Sequence, residues 1–414
     1  MRILHIADLH FGKSIHGINL LENGDQGYWV DEFLKLAAEK RPEAVVIAGD
    51  VYDRSAPSGD AVELLSRMLT GLSQLGIAVM MVAGNHDSAQ RLSFASSLLA
   101  RQGLHISRPL FGSDQLAHFT LSDEHGTVTF WLMPYVYPAL ISRVLGDDEL
   151  RDFDAAVRAL LQRQKVDYSQ RNVLVAHQNV TANGVEAERG GSESMVGGVG
   201  QIDYQCFDGF EYVALGHIHA AYAVGRDTVR YAGSPLCYHF NEVRQPKKGP
   251  VLVELGPKGA PVRTEVLTIP PLHPMRELRG PLEELRAAEL KDGRTNEYLR
   301  LVLTDCRLSP EIIGFFEDLF RARGSVLMER CSEYDPFREI GAAPSHNAVE
   351  QKSVGELFAD FYTERRGGDT PEEKDLALLS LAEEVALHAD THAYPTEAEA
   401  DKLLSFLMKQ EAET

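Results

Sequence analysis

The chain is 414 residues long, 44% hydrophobic and 25% charged, with a formal net charge of −20. That length suits two or three domains around a substantial core, and the charge excludes a generally basic, DNA-coating surface. No apolar stretch approaches the roughly 18 residues of a membrane span, and no basic-then-apolar leader opens the chain, so the cytoplasm is the expected compartment.

Taken in chain order, five apolar runs each end in residues that bind divalent metals. Ile3 to Ala7 leads into Asp8 and His10, and Ala44 to Ala48 into Gly49, Asp50 and Asp53. Val79 to Ala83 leads into Gly84-Asn85-His86-Asp87, Val173 to Ala176 into His177, and Tyr212 to Leu215 into Gly216-His217-Ile218-His219. Short β-branched runs bounded by Gly predict buried strands of an α/β sheet, and ligands of such sheets sit at the carboxyl ends of strands. A single strand-end His is most often a packed, hydrogen-bonded side chain, and Gly-Asp is a common turn pair. Five such ends in one chain predict a metal site instead. Residues two apart on an extended segment point the same way, so Asp8 with His10 and His217 with His219 form two ligand pairs. With a shared Asp they suffice for a two-metal centre.

Carboxylate, imidazole and amide oxygen together suit Mn²⁺, Fe²⁺ or Zn²⁺ better than Ca²⁺ or Mg²⁺. Cys206, Cys237, Cys306 and Cys331 form no close pair and read as ordinary reduced cysteines. Gly12-Lys13-Ser14 looks like the tail of a phosphate-binding loop, but the Gly it requires is Ala7. Gly197-Gly198-Val199-Gly200 lacks the setting of a dinucleotide loop and reads as part of an active-site loop from about Gly184 to Gln201. Any ATP dependence would therefore come through a partner.

Three prolines between Ile269 and Pro274 predict a boundary. From Met275 the pattern predicts a strand, a helix (Leu282 to Leu290), a strand (Tyr298 to Leu303), a helix (Ile312 to Arg323) and a strand (Ser325 to Arg330). Farther on, Val354, Leu357, Phe358, Phe361 and Tyr362 share one helical face, a break at Gly367 to Pro371 follows, and apolar runs return at Leu376 to Leu387 and Leu403 to Met408. Sixteen acidic against six basic residues between Gly341 and Thr414 place half of the excess negative charge here. Such helices either fold back on the core or dock in a partner's groove. Acidic, loop-separated terminal helices favour docking.

Ile3 through Lys13, Ala48 through Asp53, Ala83 through Ser88, Ala214 through His219 and Tyr231 through Leu236 resemble the calcineurin-like metallophosphoesterases, and within them the SbcD-type nucleases. The resemblance spans about residues 1 to 255 and weakens beyond. It implies an α/β fold, a four-layer αββα metallophosphoesterase sandwich over 1–270, with a small α+β cap domain over 271–340 and a helical C-terminal tail over 341–414. It implies Asp8, His10, Asp50 and His219 around one divalent ion and Asp50, Asn85, His177 and His217 around another, with Mn²⁺ the expected metal. Two carboxylates facing two divalent ions leave the site about two charges positive, which attracts a phosphodiester. His86 would face the scissile phosphate to stabilise charge or act as general acid, and Asp53 would orient and charge that imidazole or else cap a turn.

The activity implied is a DNA exonuclease and endonuclease of repair and recombination. Its partners would be DNA and the coiled-coil base of an SbcC-type ATPase, held by the C-terminal helices, in a heterotetramer built on a homodimer. Gly17 to Phe33, with Tyr28 and Trp29, is either a dimer or DNA-facing surface or the packing face of a first helix. Arg54, Arg91, the Arg226–Arg230 hairpin, Lys247-Lys248 and the arginines beyond residue 275 are candidate DNA contacts. Two other readings are a phosphatase or small-phosphodiester hydrolase on the same core, and a scaffold without catalysis. Chain length, the cap and the context of Asp8 to Lys13 weigh against the first, and the complete ligand set against the second. Leu9 stands where Trp is common and Phe11 where Leu is usual, which alters groove shape and not chemistry.

Overall fold

In the computed structural model of the chain, which describes residues 1–334 apart from 112, 183, 185–199 and 246–247, the apolar runs form strands of two six-stranded sheets. The first runs in the order Arg263–Val266, Val251–Glu254, Arg2–Ile6, Ala44–Ala48, Ala78–Val82, Leu104–Ile106, with the last four parallel. The second runs Ala223–Val224, Arg226–Tyr231, Tyr212–Gly216, Arg171–His177, Gly126–Met133, Ala117–Asp123, with the middle four parallel. The glycine-rich stretch of the expected 184–201 loop and the tail helices expected over 341–414 lie outside the described residues.

Side chains alternate between the faces of a strand, and here both faces are covered. Ile3, Val46, Ala48, Val173 and Val175 meet between the sheets. Leu4, Ile6, Val45 and Ile47 pack outward with Trp29, Phe33, Leu65 and Met68 of the helices Asp25–Lys40 and Gly59–Gln74. Leu174, Ala176, Val213 and Leu215 pack outward with Ile141, Val157 and Leu160 of the helices Pro138–Leu145 and Phe153–Gln162. The result is four layers, helix, sheet, sheet and helix. Burial on both faces is also why the strands read as unbroken apolar runs. Trp29 and Phe33 stack at 5.1 Å inside this core, so the Gly17 to Phe33 stretch presents a packing face there and Trp29 is not offered to a partner.

His5 is a polar exception on the first strand. Its Nε2 donates to the Leu215 carbonyl at 3.1 Å, so its Nδ1 accepts from the Tyr212 hydroxyl at 2.9 Å, and both partners belong to the other sheet. Complete burial pushes the His5 pKa down to about 3, which keeps the imidazole neutral.

Beyond the prolines, the strands Met275–Gly280, Tyr298–Leu303 and Val326–Ser332 form a parallel sheet. Parallel neighbours need crossovers, and the helices Leu282–Glu289 and Pro310–Arg321 supply them. The second helix starts two residues before the expected Ile312. Ser309 accepts from the Ile312 N–H, and Pro310 fills the first turn where no N–H is required. Leu299, Leu301, Leu303, Phe316 and Phe320 give this unit its own apolar cluster. Asp25, at the start of the first long helix, accepts from the Tyr298 hydroxyl at 2.7 Å and pairs with His273 at 2.8 Å, tying the unit to the layer beneath. No helix among the described residues is long and apolar enough to cross a membrane.

Candidate metal centre

Three glycines let the strand ends converge. A Cβ on Gly49 would sit 2.4 Å from His177 Nδ1, one on Gly84 2.1 Å from Asp50 Oδ1, and one on Gly216 1.9 Å from the Ala48 carbonyl. Each glycine immediately precedes a predicted ligand, so backbone and ligand share space that no side chain can occupy. Four of the predicted ligands adopt backbone conformations that L-residues avoid, with φ of 53° at Asp8, 43° at His10, 49° at Asp50 and 105° at His217. Such strain persists only where surroundings enforce it. The enforcing contacts are visible. Asp8 N–H donates to the Gly49 carbonyl at 3.0 Å and His10 N–H to the Asp50 carbonyl at 2.9 Å. Gln26 donates to the His10 carbonyl at 2.8 Å and accepts from Gly12 N–H at 2.9 Å. The Asp87 carboxylate accepts from Val51, Tyr52 and Gly84 N–H groups at 2.9–3.1 Å, stapling one ligand loop to the next.

The side chains meet in overlapping groups. Donor atoms of Asp8, His10 and His219, of Asp8, Asp50 and His177, and of His10, Asp50 and His86 each lie within 4.8 Å of one another. His177 Nε2 is 3.3 Å from Asp50 Oδ2 and 3.0 Å from Asn85 Oδ1, and His217 Nδ1 is 3.2 Å from the same Asn85 oxygen. Asp8, His10, Asp50, His177 and His219 are buried, while Asn85, His86 and His217 form a half-exposed rim. The seven predicted ligands and His86 thus share one cluster, with Asp50 central to it.

The electrostatics fit divalent cations. His10 is buried, yet neither ring nitrogen has a hydrogen-bond partner, with Asp50 3.6 Å and Asp53 3.5 Å away. Burial pushes His10 down to about 4. Burial, reinforced by the Asp50 charge and opposed by His177 and His219, pushes Asp8 up to about 7. For Asp50, burial is outweighed by His177, His10 and His86, which hold its carboxyl well below the usual range. For His177 the carboxylates of Asp50 and Asp8 outweigh burial and raise it to about 9. A largely buried cluster that gathers two carboxylates and holds an imidazole without a hydrogen bond is chemically incomplete on its own.

Asp53 meets the cluster through two different groups. Its carboxylate lies 2.9 Å from Lys13 Nζ and 3.5 Å from His10 Nδ1, and these neighbours outweigh burial to hold it well below its ordinary value. What reaches the His86 ring from Asp53 is the main-chain carbonyl, which accepts from Nδ1 at 3.0 Å. Glu242 has no place in the sequence reading, yet it is fully buried with one oxygen 3.2 Å from His219 Nδ1. Lys248, expected at a DNA surface, instead ends inside against Glu242 at 2.7 Å; Lys247 lies outside the described residues. Arg226 is likewise turned inward, donating to the carbonyls of Phe210 and Phe207. Arg276 pairs with Glu289 and Glu297, and Arg300 with Glu277 and Glu329. Arg54 and Arg91 remain exposed beside the rim.

A family model described as calcineurin-like phosphoesterase matches residues 1–221, and one described as type 5 capsule protein repressor C-terminal domain matches residues 271–366. The chain is 31% identical over 314 residues to a protein of Staphylococcus epidermidis named as a component of the nuclease SbcCD, covering 74% of this chain and 79% of that one. A protein of the same name from Staphylococcus saprophyticus is 30% identical over 308 residues, covering 73% and 78%. A crystal structure of a dimetal phosphatase from Danio rerio is similar at 16% identity and a TM-score of 0.37, covering 64% of this chain and 98% of that chain.

Proposed function

Because the chain belongs to the calcineurin-like phosphoesterases, we propose that it is a metal-dependent DNA nuclease, exonuclease and endonuclease, working with an SbcC-type ATPase in repair and recombination. The observation that carries this reading is the buried Asp–His cluster in a chain similar over 74% of its length to a named nuclease component. Asp8, His10, Asp50 and His219 would hold one ion, and Asp50, Asn85, His177 and His217 the other. Their mixed donor set favours Mn²⁺. Paired divalent ions supply charge stabilisation for the attacking and leaving oxygens of an in-line displacement at phosphorus.

The chain's own residues do the rest. The half-exposed His86 donates from Nδ1 to the Asp53 carbonyl, which fixes the ring and makes Nε2 the atom that would pass a proton to the leaving oxygen or stabilise charge on the phosphate. Arg54 and Arg91 beside the rim would grip the neighbouring phosphates. Residues 1–270 would form the nuclease domain, 271–340 a cap that selects DNA ends, and 341–414 the helices that bind the ATPase. Homodimerisation would have exposed apolar side chains to cover, among them Val62, Phe94 and Leu98 at 47%, 79% and 66% exposure. The cytoplasm, where DNA and ATP are both present, is the compartment that suits this work.

The test is cleavage of end-labelled single- and double-stranded DNA by the purified chain with Mn²⁺ and no ATP. Cutting is expected. Full metal occupancy without cutting, in the presence of the ATPase partner too, would turn the reading towards a small-phosphodiester hydrolase.

A further inference from the structure

A buried ion pair seldom stabilises a fold more than apolar packing would, so one pressed against a candidate metal ligand calls for another explanation. Glu242 is fully buried, with Oε1 3.2 Å from His219 Nδ1 and Oε2 2.7 Å from Lys248 Nζ. An ammonium has three protons to donate, and Lys248 has three acceptors: Glu242, Ser234 Oγ at 2.7 Å and the His219 main-chain carbonyl at 2.8 Å. Lys248 thus grips His219 twice, by its backbone directly and by its ring through Glu242. A carboxylate only accepts, so His219 carries its proton on Nδ1 and presents the Nε2 lone pair to the cluster.

The same loop reaches the other ligands of that ion. Tyr238 N–H donates to Glu242 at 3.2 Å, and its hydroxyl donates to the Leu9 carbonyl at 2.6 Å, between Asp8 and His10. One histidine of the second ion, His177, is supported differently, since its Nδ1 donates to the neutral Ala48 carbonyl at 2.8 Å. A carboxylate partner raises the basicity of an imidazole more than a carbonyl does.

We propose that Glu242 and Lys248 are positioning residues for one ion of the pair, the one held by Asp8, His10, Asp50 and His219, and that they set its affinity apart from the other's. This rests on the two-metal reading above. The test is a Mn²⁺ titration of the full chain, following free Mn²⁺ by electron paramagnetic resonance, with wild type, Glu242→Gln and Lys248→Met compared. Wild type should bind two equivalents. Glu242→Gln should weaken one of them by roughly 10–100-fold and leave the other within about twofold, and Lys248→Met should weaken the same one. Two equivalents bound unchanged by both variants would overturn the proposal, as would an equal weakening of both ions in proteins that still melt cooperatively. If Glu242→Gln fails to fold, Lys248→Met alone decides between these outcomes. Fewer than two equivalents on wild type would instead overturn the two-metal reading itself.

Discussion

At the scale of single residues, His86 separates into two parts with different duties. Its main-chain N–H donates to Asp50 Oδ1 at 2.9 Å, so the backbone there supports the central carboxylate. Its ring stands 4.8 Å from the His10 ring on the half-exposed rim. Substitution by Ala removes the ring and keeps the N–H. His86→Ala should therefore retain two metal equivalents by elemental analysis while cleavage of labelled duplex falls by about 10²–10⁴-fold, the usual worth of a proton-transferring group. Metal content falling in step with turnover would reassign the ring to the ligand set.

At the scale of elements, the first strand does more than end in Asp8, because His5 joins the two sheets through Tyr212 and Leu215. The His5 pKa lies near 3 in the folded protein against an ordinary 6.5. Between those values only the unfolded chain takes up this proton, so acid favours unfolding. The stability concerned is fully present above about pH 6.5 and is lost as pH falls towards 3. In metal-free protein, the unfolding free energy of His5→Leu should fall less steeply with acid than wild type over pH 6.5 to 4.5. The difference in slope should approach about 1.4 kcal/mol per pH unit. Urea melts across that window check it, and parallel slopes would remove His5 from the acid response. His10, also held low by burial, titrates in both proteins and cancels in the comparison.

The strands and ligand-bearing ends were legible because both faces of each strand are buried, which writes long apolar runs into the sequence. The boundaries moved by about one residue, as at Ala78–Val82 against Val79 to Ala83. Gly17 to Phe33 was ambiguous because an aromatic helix face looks alike whether it packs inward or onto a partner. Gln26, Asp87 and Glu242 were not legible, since their significance lies in what they touch across 16, 36 and 23 residues of chain. Asp53 shows a further limit. Its closeness to the motif was readable, but only coordinates distinguish a carboxylate directed at His10 from a carbonyl directed at His86.

For the whole molecule, the question is how a chain of net charge −20 holds a polyanion. Several of the cations expected to meet DNA are not on offer. Lys248 and Arg226 are turned inward, and Arg276 and Arg300 are spent on carboxylates. Arg54 and Arg91 remain at the rim, so the ions themselves must supply much of the attraction. Each phosphate neutralised by a side chain contributes about 0.9 to the slope of log affinity against log salt. The His86→Ala protein should therefore show little DNA binding with chelator at about 0.1 M salt, where charges are screened beyond roughly 10 Å. It should bind once Mn²⁺ is added, with a salt slope no steeper than about −4. Fluorescence anisotropy of a labelled duplex, titrated at several salt concentrations, measures both. A slope steeper than about −8, or tight binding in chelator, would mean that a broad basic surface, assembled by dimerisation or by the tail, carries the DNA in place of the metal centre.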